Sequence, residues 1–176
     1  MAHARLVVAV AAVALLVACK PRDPLEQVVS AATPSRFALW RARIASDVAP
    51  NTRVRVEDAL QEIRASYAAD RELKRHLDEP VVRGTEMLDE AVRNRVNGQR
   101  VRDVLRIGYE LRVRRLREEL VGLEDAMGKN AQLVTRPGDV ESKHHLEGLR
   151  DRQLVRLQKY RDDLAAAERE LEMLKR

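Results

Sequence analysis

Tyr109-Glu110-Leu111-Arg112-Val113-Arg114-Arg115-Leu116-Arg117-Glu118-Glu119-Leu120-Val121-Gly122-Leu123-Glu124-Asp125-Ala126-Met127 is the stretch whose reading decides the fold. Within it Tyr109, Val113, Leu116, Leu120, Leu123 and Met127 are spaced alternately four and three residues apart, which is the apolar seam of a coiled coil. A second seam follows, in which Leu157, Tyr160, Leu164, Ala167, Leu171 and Leu174 repeat at three and four. Between them the segment from Gly128 to Gly138, with Arg136-Pro137-Gly138, reads as a break, and the second helix is expected from about Asp139 to Lys175. Two seams joined by a short loop predict an antiparallel hairpin. A fold about residue 134 puts Met127 near Val140, Tyr109 near Gln158 and Leu105 near Leu164. A helix of about 35 residues is about 52 Å long, so the body is expected to be a rod.

Working back from this hairpin, the helix carrying the first seam is expected to begin near Thr85 and to run to about Lys129, with a weak point at Asn97-Gly98. Residues from Thr52 to Glu79 form another helical pattern through Val56, Leu60, Ile63, Tyr67, Leu73 and Leu77, with Asn51 or Thr52 as cap. Pro80 and Gly84 predict a reversal before Thr85. A shorter helix over Arg36 to Val48, capped by Ser35, carries the stripe Phe37, Trp40, Ile44 and Val48. That stripe is expected to pack on the body. The alternative lays it on a membrane, with Arg36, Arg41 and Arg43 near headgroups and Trp40 at the interface.

Four of the six prolines fall between residues 20 and 52, which therefore read as a tether. A two-helix hairpin leaves much of its seam wet, and either the helix over 52–79 or a second copy would cover it. The expected fold is all-α: an elongated antiparallel helical hairpin or three-helix bundle with coiled-coil character, preceded by a signal peptide and a Pro-containing tether. In residues, the division is 1–18 signal peptide, 19–51 tether with a short amphipathic helix, and 52–176 helical bundle.

The chain opens on Arg5 followed by an apolar run from Leu6 to Ala18, too short for a membrane span of roughly 20 residues and suited to a secretory signal. The run ends Leu16-Val17-Ala18-Cys19, and these four residues resemble the lipobox of bacterial lipoprotein precursors position by position. What the resemblance implies is diacylglycerol transfer to the Cys19 thiol, cleavage before Cys19 and N-acylation, typically with palmitate. Two or more acyl chains hold a protein on a membrane where one does so only marginally. Lys20 rather than Asp follows the cysteine, which in this class implies the outer membrane, facing the periplasm, over the inner membrane. Cys19 is the only cysteine, so no intrachain disulfide is possible.

Cleavage lowers the formal net charge from +5 by the loss of Arg5, a small excess that singles out no partner. The segment Arg93 to Arg117 is more biased, with nine arginines against Asp103 and Glu110. One reading makes Arg112, Arg114, Arg115 and Arg117 contacts for an anionic envelope ligand such as lipopolysaccharide, acidic lipid or glycan. The other, which we favour, answers the arginines with acids of a neighbouring helix, from Asp139, Glu141, Glu147 and Asp151 to Glu168, Glu170 and Glu172. No aromatics interleave with the arginines for base stacking, so nucleic acid is not an expected partner.

Catalytic, cofactor-binding and metal-binding residues are all expected to be none. His144 and His145 are adjacent and diverge by about 100° on a helix, so they do not form the i, i+4 pair of a metal site. Asp162-Asp163 and Glu118-Glu119 read as solvated helix charge, and Gly84, Gly98 and Gly108 stand apart rather than in a phosphate-binding loop. The C-terminal Glu172-Met173-Leu174-Lys175-Arg176 loosely resembles the end of murein lipoprotein, a lipid-anchored coiled coil joined to peptidoglycan through a terminal lysine. Here the lysine is penultimate and the body much longer, which argues against that linkage. The expected function is that of a non-enzymatic, lipid-anchored spacer or protein-docking module, meeting a protein partner or a second copy through its seams.

Overall fold

The computed structural model describes residues 23–69, 81–134 and 140–175. After a 3₁₀ turn at Pro24–Glu26, five helices follow among the described residues: α1 Pro34–Asp47, α2 Pro50–Ala69, α3 Val81–Val96, α4 Val101–Val134 and α5 Val140–Lys175. The all-α expectation is met. The lipobox, Leu73, Leu77 and Arg136-Pro137-Gly138 lie outside the described residues.

Local chemistry sets the helix starts. Pro34 opens α1 at a position where its missing N–H costs nothing, and the Thr33 hydroxyl accepts from the Arg36 amide at 3.2 Å. The cap is thus Thr33 rather than Ser35, and α2 likewise opens on a proline, Pro50. The α3–α4 junction falls at Asn97-Gly98, where Gly98 adopts a φ of +78°, open to glycine without the clash a Cβ would bring. What reads in sequence as one helix with a weak point is therefore two. Gly128, read as the start of a break, instead sits inside α4.

α4 organises the molecule. Its first turns belong to a head in which Val101, Val104 and Leu105, all fully buried, pack with Val96 of α3, Val56, Ala59, Leu60 and Ile63 of α2, and Trp40 and Ile44 of α1. α2 and α4 run in the same direction, since Arg55 lies over the Tyr109 ring, Arg112 reaches Asp58 and Arg115 reaches Glu62. α3 runs back between them in chain order, with Arg64 of α2 paired to Asp89 of α3. α2 and α3 thus run in opposite directions, but Gly84 and Thr85 lie inside α3 and not before its start, and residues 70–80 lie outside the described residues. Beyond the head, α4 and α5 form an antiparallel stalk on a smaller core of Val113, Leu116 and Ala167, flanked by Tyr109, Tyr160 and Leu164.

The stalk has a different register from the expected one. Arg117, placed opposite residue 150 by a fold about residue 134, pairs with Glu168 at 2.6 Å; Arg161 meets Glu124 at 3.0 Å, and Asn130 donates to Gln153 at 3.2 Å. The slide is about 18 residues along α5, or about five turns at 3.6 residues each. Whole turns return the same face to the partner, so the seams still meet. The register fits the head: the first turns of α4 are covered there, and α5 ends at the level of Glu110, where Leu174 joins the head core. Leu105 consequently packs in the head core and not against Leu164. At the other end α4 stops four residues past Asn130 whereas α5 begins 13 residues before Gln153, so α5 overshoots α4 by about 14 Å.

Residues 24–33, read in sequence as part of a tether, form a strap across the α3–α4 turn. The Val29 amide donates to the Gln99 carbonyl at 2.8 Å, Gly98 to Val29 at 2.9 Å, and Val101 to Gln27 at 2.9 Å. Asn97 Oδ1 accepts from the Ala31 amide at 2.8 Å, and Val29 and Ala31 are both buried. Arg100 and Arg102 close the strap over Glu26 at 2.7 and 3.4 Å.

Candidate functional site

The four arginines singled out in sequence lie on α4 at the junction of head and stalk. Arg115 donates to both carboxylate oxygens of Glu62, from Nη2 at 2.5 Å and Nε at 3.0 Å, and to Glu119 at 2.8 Å. Two parallel N–H···O bonds fix geometry as well as charge. The hydrogen bonds that Arg115 donates to Glu62 hold its guanidinium more firmly protonated than usual, against the opposing effect of burial. Burial also works to raise the Glu119 carboxyl, but hydrogen bonds from Arg115 and Tyr160 prevail and hold it below the ordinary carboxylate range.

Arg117 pairs with Glu168 across the stalk, and Arg112 sits 4.0 Å from Asp58. Arg114 is exposed, beside the α4–α5 groove that also holds Glu118 and Glu172. The neighbour that answers most of this face is α2, through Asp58 and Glu62, and α5 contributes Glu168. Glu170 of α5 pairs instead with Arg55 of α2 at 2.5 Å, and that same guanidinium covers Tyr109 of α4, so one side chain joins three helices. Asp163 and Glu172 are taken up within α5, by Lys159 and Lys175. Exposed pairs of this kind contribute only about 0–1 kcal/mol each, so their role is to select register more than to hold the fold.

The other expectations can be located directly. Trp40 is 6% exposed and stacks on Phe37 with ring centroids 5.6 Å apart, so the α1 stripe packs on the body. His144 and His145 are exposed, and among the described residues no group of three His, Cys, Asp or Glu could hold a metal ion. No helix among the described residues is long and apolar enough to cross a membrane.

A second feature has no counterpart in the expectations. Where the strap meets α1, an open groove is lined by Asp23, Val28, Arg36, Leu39, Trp40 and Arg43, among others. Leu39 is 72% exposed and Val28 58%, while the face of Trp40 forms part of the floor. The signal for it was the spacing Arg36, Leu39, Arg43, a stripe adjacent to the buried one on the same helix. No protein-family model, curated protein or solved structure matches the chain.

Proposed function

We propose that this is a lipid-anchored envelope protein, held through Cys19, whose helical stalk acts as a periplasmic spacer and docking module. The observation that carries the reading is the position of the chain's entry. The strap joins the body at the α3–α4 turn, at one end of α4, and the stalk runs along the rest of that helix to its opposite end, about 51 Å away along 34 residues. An anchor four residues before Asp23 and a free stalk tip are thus at opposite ends of one continuous helix. Val121, Leu154 and Val155 on the stalk are exposed, which suits recognition by another helix. The arginine face supports this reading better than ligand binding, because Arg112, Arg115 and Arg117 already have carboxylate partners.

The anchor is tested by feeding labelled palmitate to cells making the wild type or Cys19→Ser: label in the first and not the second is expected, and equal labelling sinks the reading. The docking role is tested by photocrosslinking in intact cells from positions 121 and 155, with position 53 of the head as control. A discrete adduct from the stalk alone is expected; identical patterns from all three positions would remove the basis for the proposal.

A further inference from the structure

We infer that the groove between the strap and α1 is a membrane-docking surface, with Arg36 and Arg43 on phospholipid headgroup phosphates and Leu39 and Val28 dipping toward the acyl boundary. The inference rests on the anchor reading above and adds to it a second point of membrane contact and a fixed orientation of the body.

Reach is the first argument. Only Lys20, Pro21 and Arg22 stand between Cys19 and Asp23, which lines the groove, so across four chain steps the anchored residue lies within about 14 Å of it even when fully extended. The groove is therefore held close to the lipid surface. Composition is the second. Leu39 and Val28 are large apolar side chains left exposed in the groove, and Arg36 and Arg43 flank Leu39 at three and four residues on one side of α1. A long basic side chain keeps its charge at the headgroup level while its stem covers apolar surface. Arg43 reaches Asp47 at 3.2 Å yet remains 74% exposed, so its guanidinium is open to a phosphate. The acids of the groove do not oppose this, because Asp23 and Glu26 are drawn to Arg102 and Arg100 on the α4 side. Trp40 also lines the groove, which places the probe residue beside Leu39.

The chain has one tryptophan and one cysteine, which makes the test direct. The mature chain is coupled through the Cys19 thiol to a phospholipid in vesicles of phosphatidylethanolamine and phosphatidylglycerol brominated near the top of the acyl chains, and Trp40 emission is read. Quenching is expected. It should survive insertion of a long Gly/Ser spacer between Cys19 and Asp23, and be lost in the Arg36→Gln, Leu39→Gln, Arg43→Gln triple variant with its helical circular dichroism unchanged. Absence of quenching in the wild type, or its loss on inserting the spacer alone, overturns the inference. So does concentration-dependent self-association through this face that leaves Trp40 unquenched. Failure of palmitate labelling in cells would count against the anchor, whereas the chemically coupled protein judges the groove independently.

Discussion

Gly108 of α4 and Ala59 of α2 bring two backbones together: a Cβ built on Gly108 would lie 2.5 Å from the Ala59 Cα and 3.1 Å from its carbonyl oxygen. No flexible side-chain end is there to yield. Gly108→Val should therefore force the helices apart and lower stability by about 1–3 kcal/mol. Gly122, also in α4, faces open space, and Gly122→Ala should raise stability by up to about 1 kcal/mol through helix propensity alone. Urea midpoints of the two variants should move in opposite directions.

The stalk core is small, so its largest buried member matters. Leu116 is 2% exposed, and Leu116→Ala should cost about 2–5 kcal/mol, whereas Leu154→Ala, at a position 43% exposed, should stay within about 1 kcal/mol. Thermal unfolding followed by circular dichroism separates them.

Asn97→Ala removes the acceptor of the Ala31 amide and Gly98→Ala puts a Cβ at a φ of +78°, each weakening the strap by about 1–2 kcal/mol. Hydrogen exchange at the Val29 and Ala31 amides should accelerate more than exchange at Val113 in the stalk. Equal acceleration everywhere would mean that the strap does not open separately.

The junction of head and stalk should be acid-sensitive. Glu119's carboxyl is held below its ordinary value of 4.5 in the folded chain, so the unfolded chain takes up this proton first as pH falls. The stabilisation is complete above the ordinary value and is lost as pH drops through the lower, folded one. Glu119→Gln should flatten the acid limb of a stability-against-pH curve, and Arg115→Gln should do the same by removing the partner.

Register can be read by crosslinking. In a Cys19→Ser background, cysteines at 124 and 161 should be joined by a short bismaleimide, whereas cysteines at 109 and 158 should not. The reverse outcome would restore the hairpin folded about residue 134.

The seams on α4 and α5, the α1 stripe through Trp40 and Ile44, and the Asn97-Gly98 discontinuity were all legible, because each depends on residues near one another in sequence. The level at which α5 sits was not. A period near 3.6 specifies which face is buried and is indifferent to sliding by whole turns, and the obstacle that limits the slide is the head, assembled from α1, α2 and α3. The strap was hidden for a related reason: Ala31 finds Asn97 across 66 residues and Glu26 finds Arg100 across 74, through backbone and short-chain bonds that leave no periodicity. Asp58 and Glu62 lie on α2, outside the hairpin, so the pairing of the two seams offered no sign of them as partners of the arginine face.

The strap also has a mechanical meaning. Were the far tip of the stalk seized while Cys19 is held in a bilayer, tension would enter the body at Asp23 and leave through α4 and α5, meeting first the ion pairs of Asp23 and Glu26 with Arg100 and Arg102 and then the bonds from Gln27, Val29 and Ala31 to residues 97–101. Because these bonds lie at the very start of α4, the load passes almost directly into the stalk. The α1 and α2 members of the core, from Trp40 to Ile63, are not links in that line.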